Sequence, residues 1–366
     1  MTDTRSDTVS VVDRTRPIAA GAPIVAAHFL GVTAVFVLGE EAMLLAESQG
    51  EPRRVAVHSG AILATAADGG RIVSGGDDGK VVATNTAGET RTLAADPKHR
   101  WIDHVALAPD GAVAWSAGKT AFVQAKELRE FEAPSTVGGL AFLPKGFRLA
   151  IAHYNGATLW FPNAPQAAPE QLEWKGSHLG ATVSPDGRFL VTTMQEPMLH
   201  GWRLADRKHM RMSGYAARVT SFGWTAGGRW LATSGSTQLI LWPFQTKDGP
   251  MGKQPRLLAP SERRVEVVAC HPKQEVVATG FGDGMVLLVR IEDGAEILAK
   301  KPGPAPVTAL AWSGDGMVLL VRIEDGAEIL AKKPGDAPVT ALAWSADGKL
   351  MAFGTESGEA GILDLS

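Results

Sequence analysis

Short apolar runs alternate with turns rich in Pro, Asp and Gly along almost the whole chain. The turn reads APDG at 108–111, SPDG at 184–187 and SADG at 345–348, and related turns recur about every 40 residues. Runs such as VTSFGW at 219–224 and RFLVTT at 188–193 alternate in polarity and contain β-branched residues, which favours strands. No segment combines helix caps with a 3.6-residue period over three turns. The chain is therefore predicted to be all-β.

Each unit of about 40 residues is predicted to contain four strands. The third run often ends in an aromatic residue, as in LHGW at 199–202 and LILW at 239–242, and the fourth is more polar, as in ETRTLA at 89–94. Four-stranded units at this spacing are typical of β-propeller blades. First strands are expected near residues 23–29, 60–66, 101–108, 136–142, 178–184, 217–224, 263–270, 305–312 and 337–344.

One stretch of the chain occurs twice in tandem. Residues 282–313 and 314–345 differ only where Pro304 in the first copy corresponds to Asp336 in the second. Old repeats diverge further than this, so the pair indicates a recent duplication of 32 residues. Without one copy the chain contains eight units, each with four strands once an N-terminal strand is included. We expect eight regular blades plus one incomplete, duplicated blade.

The duplicated copy lacks a second run, and three interpretations of it stay open. In the first, MVLLVRI at 317–323 and AEILA at 327–331 act as second and third strands of a ninth blade, and Lys332–Pro338 crosses back unpaired. In the second, one copy is extruded from an eight-bladed ring, which exposes Val and Leu side chains at a cost of roughly 1.5–3 kcal/mol each. In the third, the repeat is an error in the determined sequence, produced by a copying slip at the paired GDG sites.

Tryptophans lie in three predicted third strands, at Trp160, Trp202 and Trp242, and histidines stand just ahead of first strands at His58 and His178. Together with the SPDG-like turns, these residues make the chain resemble the WD40 family of β-propellers over nearly its whole length. The Trp-Asp dipeptide of the family is absent, because each of the three tryptophans is followed by Phe, Arg or Pro. The resemblance implies a propeller that serves as a protein-interaction scaffold.

The family's network of His, Ser or Thr, Asp and Trp is expected to be partial in this chain. His178, Thr192 or Thr193 and Trp202 supply three members, and Glu196 stands near the acidic position. A propeller must also join its ends, since an open sheet edge invites aggregation. We expect one domain over 1–366, with a flexible tail at 1–7 and a closing strand at 8–13 beside AGILDL of the last blade.

The composition of the chain limits which kinds of partner it is expected to bind. Hydrophobic residues make up 45% of the 366 residues, and the net charge of −3 gives no basic field that attracts nucleic acid or an anionic membrane. The single cysteine, Cys270, excludes an intrachain disulfide framework and suits a reducing compartment. No secretory signal and no apolar run of roughly 18 residues is visible. We expect a soluble, cytoplasmic protein that is a monomer on its own.

Catalytic and metal-binding signatures are absent from the sequence. It contains no G-x-S-x-G elbow and no P-loop, and its nine histidines form no H-x-H or H-E-x-x-H pattern. We expect no enzyme activity, no cofactor and no metal. The alternative is an enzyme or a small-molecule or metal binder with a site in the central channel, for which first strands offer only His28, Asp103, His104 and Glu266.

The loops of one propeller face are expected to bind a protein or peptide. This face carries the connections from fourth to first strands and from second to third strands, where aromatic and arginine residues gather as at interaction hot spots. The candidate partner-binding residues are Arg100, Trp101, His153, Tyr154, Gln195, Glu196, Tyr215, Arg218 and Arg263. The basic run DRKHMRM at 206–212 lies on a predicted outermost strand, where it either discourages strand pairing or binds an acidic partner.

Overall fold

The computed structural model describes residues 15–271, 274–283, 285–300, 339–344, 350–355 and 358–364. In these ranges the chain forms antiparallel strands and one short 3-10 turn at Ala226–Gly228, with no α-helix. The prediction of an all-β protein is confirmed.

Six of the sheets in the described part of the chain have four strands, and each is named below by its first strand. Strand β1 (Thr15–Ala19) starts the described chain and belongs to the last of these sheets. The β2 sheet comprises β2 (Ile24–Leu30), β3 (Thr33–Leu38), β4 (Ala42–Ala46) and β5 (Arg53–Ala56). The β6 sheet comprises β6 (Ile62–Ala67), β7 (Arg71–Gly76), β8 (Lys80–Asn85) and β9 (Thr90–Ala95). The β10 sheet comprises β10 (His104–Leu107), β11 (Val113–Ala117), β12 (Thr120–Gln124) and β13 (Leu128–Glu132).

A six-stranded sheet follows along the chain. It comprises β14 (Gly139–Phe142), β15 (Leu149–Trp160), β16 (Glu170–Val183), β17 (Phe189–Met194), β18 (Leu199–Arg203) and β19 (Lys208–Met212). The β20 sheet comprises β20 (Phe222–Trp224), β21 (Trp230–Thr233), β22 (Leu239–Pro243) and β23 (Arg256–Leu258). The β24 sheet comprises β24 (Val265–Cys270), β25 (Val276–Phe281), β26 (Val286–Arg290) and β27 (Glu296–Lys300). The β28 sheet comprises β28 (Val339–Trp344), β29 (Leu350–Thr355), β30 (Glu359–Asp364) and β1.

Burial changes in a regular way from the first strand to the fourth. Second strands such as β3 and β17 are buried at every position, whereas fourth strands such as β5 and β13 are mostly exposed. First strands such as β10 are half-buried along their length. This gradient is expected when first strands line a central channel, second and third strands are covered by neighbouring sheets, and fourth strands face solvent.

First strands of consecutive sheets lie side by side, so the sheets follow one another around a common axis. Side-chain hydrogen bonds join them directly: His28 Nε2 lies 2.9 Å from Thr65 Oγ1, and Trp224 Nε1 donates to Thr182 Oγ1 at 2.9 Å. The hydrophobic core lies between the sheets. One cluster, for example, joins Val35 and Met43 of the β2 sheet to Ile72 of the β6 sheet. The arrangement is that of a β-propeller.

The six-stranded sheet explains why the count of separate sheets is lower than the eight or nine blades expected from the sequence. His153 Nε2 lies 2.9 Å from Thr158 Oγ1, although five extended residues would span about 16 Å. Strand β15 therefore folds back on itself, and it does so at Asn155 and Gly156, which both have positive φ. Asn-Gly is the usual pair for such a tight turn. Six four-stranded blades are distinct in the described residues, and the six-stranded sheet stands beside them.

The N-terminal strand of the described chain lies at the outer edge of the last sheet. Strand β1 pairs antiparallel with β30, with Arg16 opposite Ile362 and Ile18 opposite Ala360. Ile18 and Ile362 are buried in the same hydrophobic cluster. The tail at 1–7 and the closing strand expected at 8–13 lie outside the described residues.

The duplicated segment is described only in part. From the first copy, residues 285–300 provide β26 and β27. From the second copy, residues 339–344 provide β28. Residues 301–338, which include the ninth-blade strands expected at 317–323 and 327–331, lie outside the described residues.

Candidate protein-binding face

The end of the propeller at which first strands begin is called the upper face. Connections from fourth to first strands and from second to third strands lie there, because neighbouring strands in each sheet run antiparallel. Examples are residues 96–103, which precede β10, and residues 195–198, which follow β17. The opposite end carries the Pro-Asp-Gly turns between first and second strands.

The same irregularity recurs near the start of first strands in five sheets. One residue near the start of the strand has no opposite residue on the second strand, which is the definition of a β-bulge. In β2, Ile24 pairs with Leu38 and Ala26 pairs with Val37, so Val25 is left between them. The residues left between successive pairs are Val25, Leu63, Leu179, Glu266 and Thr340.

Three of these bulge residues expose apolar side chains at the upper face. Val25 is 50% exposed, Leu63 is 39% exposed and Leu179 is 38% exposed. A bulge aims the unpaired side chain away from its strand ladder, which explains how large apolar residues are exposed at the start of strands that are otherwise packed. Leu179 also lines the mouth of the central channel.

Trp101 stands on a loop that Asp96 holds in place. The Asp96 carboxylate accepts hydrogen bonds from the backbone N–H groups of Lys98 at 3.0 Å and Arg100 at 2.9 Å, and from Arg100 Nη2 at 2.6 Å. The bonds from the Arg100 side chain, more than any other cause, lower the pKa of Asp96 to about 2, so it is charged at neutral pH. Ile102 is fully buried, whereas Trp101 is 61% exposed. Trp101, one of the candidate partner-binding residues, is therefore at the surface.

Tyr154 is the second exposed aromatic residue of the upper face. It immediately precedes the Asn155–Gly156 turn of β15, and its ring is 53% exposed. Its backbone N–H donates to Ser135 Oγ at 2.8 Å, and the Asn155 side chain accepts from Gly176 N–H at 3.2 Å. The turn is thus tied to connections on both sides of it, which fixes the position of the Tyr154 ring.

The remaining exposed candidates form a polar rim around these apolar side chains. Arg218 Nη1 donates to Gln195 Oε1 at 3.3 Å, which brings these two predicted residues together across neighbouring connections. Glu196 is exposed beside them, and Arg263 is exposed in the connection before β24. None of the four side chains is buried, so each is free to contact a partner.

Two predicted partner-binding residues are instead buried within the upper face. Tyr215 is 8% exposed, and its hydroxyl group lies 2.9 Å from Thr233 Oγ1 and accepts from Trp242 Nε1 at 2.7 Å. Burial raises the pKa of Tyr215, so its hydroxyl stays protonated. His153 is 4% exposed and is hydrogen bonded to Thr158 and to the carbonyl of Tyr154. Neither side chain reaches the surface that a partner contacts.

The expected network around His178 is present without its acidic member. His178 Nδ1 lies 2.7 Å from Thr192 Oγ1, and its ring is 5.6 Å from that of Trp202. Its Nε2 contacts the Trp174 carbonyl at 3.0 Å, while Glu196 stays at the surface. Glu196 therefore does not supply the acidic member of this network, because the Trp174 carbonyl occupies that side of the His178 imidazole.

A more complete network lies in the β6 sheet, where sequence reasoning did not place one. His58 Nδ1 is 2.9 Å from Asp78 Oδ1, and its Nε2 is 2.8 Å from Ser74 Oγ. Burial alone would raise the pKa of Asp78, but hydrogen bonds from Ser59 N–H and His58 hold it well below its ordinary value. Asp78 lies among glycines in GGDDG at 75–79, a pattern typical of a turn, and the buried Thr84 stands where other third strands carry tryptophan, so no sequence signal marks the network.

The central channel offers little chemistry among the described residues. A cavity of about 210 Å³ is lined there by His104 and by small residues such as Ala64, Gly139 and Gly180. Burial lowers the pKa of His104, which keeps its imidazole neutral. A Cβ on Gly139 would lie 2.8 Å from the Gly180 Cα, so neighbouring first strands approach too closely for larger residues. The described residues contain no group of three side chains placed to hold a metal ion.

Comparisons with known proteins support the fold and give no information on family or function. No protein-family model matches the chain, and no curated protein matches it. Among solved structures, the chain is similar to the computationally designed Ika8 protein, with a TM-score of 0.69 and 15% sequence identity over 94% of this chain and 97% of that one. At that identity the likeness concerns architecture alone. In the described part of the chain no helix has the length and apolar character to cross a membrane.

Proposed function

We propose that this protein is a non-catalytic scaffold that binds a protein or peptide through its upper face. The observation that carries the proposal is the recurrent bulge, which exposes Val25, Leu63 and Leu179 near the starts of first strands of different sheets. Apolar side chains exposed at equivalent positions of one face give a partner several apolar contact points, and polar groups rim them, as at protein-interaction sites.

Two aromatic side chains add the features of an interaction hot spot. Trp101 and Tyr154 are more than half exposed, yet their backbones are fixed by hydrogen bonds to Asp96 and Ser135. A rigid aromatic residue loses little conformational entropy when it binds, and Trp, Tyr and Arg dominate hot spots. The rim residues Arg218 and Arg263 supply polar contacts and orientation.

We further propose that the architecture is that of an eight-bladed, WD40-like propeller closed at the β28 sheet. The fold-back within β15 supplies two strands of one unit, and β16 supplies the fourth strand of that unit at 170–173 and the first strand of the next at 178–183. The six-stranded sheet thus divides into two four-stranded units, and the pairing of β1 with β30 joins the two ends of the described chain in one sheet. The hydrogen-bonded set His58, Ser74 and Asp78 supports the WD40 resemblance. A cytoplasmic, monomeric protein without cofactor remains part of the proposal.

The proposal is tested with matched variants that differ only in the face they alter. Val25→Asp places a charge on the upper face, and Val32→Asp places the same charge on the opposite face at a valine that is 55% exposed. Leu63→Asp and Leu128→Asp form a second pair, because Leu128 is 52% exposed on an outer strand. Partners are captured from native lysate with each variant and quantified by mass spectrometry.

Val25→Asp and Leu63→Asp are expected to reduce capture of the partner about tenfold or more, since hot-spot residues contribute roughly 2 kcal/mol or more. Val32→Asp and Leu128→Asp are expected to leave capture unchanged. Equal capture by all four variants, each with an unchanged melting temperature, would show that the upper face is not the binding surface. Capture of nothing by the wild-type chain would also count against a scaffold.

A further inference from the structure

A cavity of about 530 Å³ lies on the outer side of the propeller, and none of the exposed upper-face candidates lines it, although it reaches the connection from β19 to β20 at Ser213 and Gly214. It is bounded by β19 on one side and by β22, β23 and the connecting loop 244–255 on the other. The basic run at 206–212 thus borders a cavity, which the sequence pattern alone did not indicate. A volume of this size is in the range of ordinary ligand sites.

The cavity exists because the outer strand of the β20 sheet is short. Strand β23 has three residues and pairs with Leu239–Leu241, so Trp242 has no partner residue on it. The loop that precedes β23 curves around the gap instead of filling it. It is anchored by Lys253 Nζ, which donates to Thr246 Oγ1 at 2.6 Å, and by an ion pair between Arg203 and Asp248. The cavity is therefore part of the folded structure.

The charged groups that line the cavity have one sign. Arg211 and Lys253 line it beside His209, and no Asp or Glu is among its lining residues in the described chain. Nearby arginines are neutralised: Arg203 pairs with Asp206, and Arg207 pairs with Glu170. Arg211 has no such carboxylate partner among the described residues. An anionic group entering the cavity would supply that partner.

The lining also carries apolar side chains beside its basic ones, which points to a peptide. Leu257 is 52% exposed and Met251 is partly exposed at the cavity. A free inorganic anion gains nothing from these side chains, whereas the apolar residues of a peptide would cover them. Single-stranded nucleic acid needs an exposed aromatic ring for base stacking, and Trp242 is only 5% exposed.

The position of β19 adds a backbone contact. It is the outermost strand of its sheet, so alternate N–H and C=O groups on its outer edge point away from the sheet. An extended peptide laid along this edge would pair with those groups while alternate side chains enter the cavity, as in strand addition.

We propose that the cavity between β19 and the β20 sheet binds an extended, acidic peptide segment that carries apolar side chains. Arg211 and Lys253 contact its carboxylates, and Met251 and Leu257 contact its apolar residues. This site is separate from the upper face and does not depend on the function proposed for that face.

The test selects ligands from a displayed library of random decapeptides on the immobilised full chain. Peptides are then measured by fluorescence anisotropy against the wild type, the double variant Arg211→Glu/Lys253→Glu and the control Arg91→Glu. Arg91 is a matched control because it is exposed on β9, the outermost strand of another sheet. Melting temperatures of all variants establish that each is folded.

Selected peptides are expected to be enriched in Asp and Glu interspersed with Leu, Ile or Met. The double variant is expected to bind them at least tenfold more weakly, and Arg91→Glu is expected to bind them as the wild type does. Replacing their acidic residues by Lys should restore binding to the double variant. Selected peptides without acidic enrichment, or with equal affinity for the double variant, would overturn the proposal. A single-stranded oligonucleotide that bound more tightly than any peptide, with the same loss in the double variant, would also overturn it. The upper-face variants leave this binding unchanged if the sites are separate.

Discussion

His200 offers a direct test of how buried imidazoles control the pH dependence of stability. It lies in β18 with 0% exposure, and its ring stacks on that of Trp174 with centroids 4.0 Å apart and an interplanar angle of 15°. Neither of its ring nitrogens has a hydrogen-bond partner within the described residues. Burial, with a smaller contribution from the nearby His178, lowers the pKa of His200 to about 3.

The lowered pKa makes the folded protein less stable in acid. Between pH 6.5 and about 3 the unfolded chain binds a proton at this imidazole and the folded chain does not. Because the unfolded state binds more protons, the free energy of unfolding rises with pH across this window and falls as the pH is lowered. At pH 5, which is 1.5 units below the ordinary pKa of 6.5, the loss attributable to His200 is about 2 kcal/mol at 1.36 kcal/mol per unit.

The variant that isolates this effect is His200→Phe. Phenylalanine keeps a ring to stack on Trp174 and carries no titratable group. Urea unfolding curves are recorded at pH 7.5, 6.0 and 5.0 by tryptophan fluorescence for the wild type, the variant and the control His99→Asn, in which an exposed histidine with positive φ becomes another residue that tolerates that conformation. Other buried histidines, such as His28 with a pKa lowered to about 4, titrate in all three proteins.

The quantity to compare is the change in unfolding free energy between pH 7.5 and pH 5.0. The wild type and His99→Asn are expected to lose about 2 kcal/mol more than His200→Phe does. The comparison does not depend on whether the larger phenylalanine ring changes stability at pH 7.5. If His200→Phe lost as much stability as the wild type over this interval, the imidazole would not be the proton acceptor that opposes folding, and the reasoning would be wrong.

Three further predictions follow from other parts of the structure. Tyr215→Phe removes the acceptor for Trp242 Nε1, so thermal unfolding should show a loss of about 1–3 kcal/mol, and an unchanged melting temperature would contradict the network. Asp96→Ala leaves four N–H donors of the Trp101 loop without their acceptor, so trypsin should cleave after Arg100 several-fold faster by mass spectrometry; unchanged cleavage would show that the loop is held by other contacts. Deleting residues 314–345 leaves six residues between β27 and a strand identical in sequence to β28, within the four to nine residues that separate fourth from first strands elsewhere in the described chain, so the melting temperature should be equal or higher, and an unfolded product would refute the repeat scheme.

The architecture was predictable because its signals are periodic. Pro-Asp-Gly turns, strand-like runs and third-strand aromatics recur in register, and each places a strand boundary within a few residues of the observed one. Separate sheets were harder to count from the sequence. Strand character continues through the tight turn at Asn155 and Gly156 of β15, which joins two strands of one unit. Strand β16 then runs without a break from its pairing with β15 into its pairing with β17, which merges two consecutive units into one sheet.

The candidate site was only partly predictable, because residue type does not reveal exposure. Trp101 and Tyr154 are exposed as expected. Tyr215 is buried instead, and it bonds to Thr233 and Trp242 as the structural histidines bond to their own sheets. The sequence around a loop tyrosine does not show whether its side chain is exposed or buried. The bulge residues were missed for a different reason. Leu63 and Leu179 read as ordinary apolar strand residues, and only the pairing on both sides shows that they lack an opposite residue.

The bulges separate the residues that hold the fold from those available for recognition. Second and third strands are covered on both faces, so substitutions there change the packing between sheets, and networks such as His58, Ser74 and Asp78 fix the ends of strands. The side chain of the bulge residue stands outside the strand pairing, because its neighbours in sequence make the ladder contacts. The position is filled by Val25, Leu63, Leu179 and Glu266 in different sheets. The residue proposed to contact a partner at each bulge of the upper face can therefore be substituted in one sheet at a time without altering the core between the sheets.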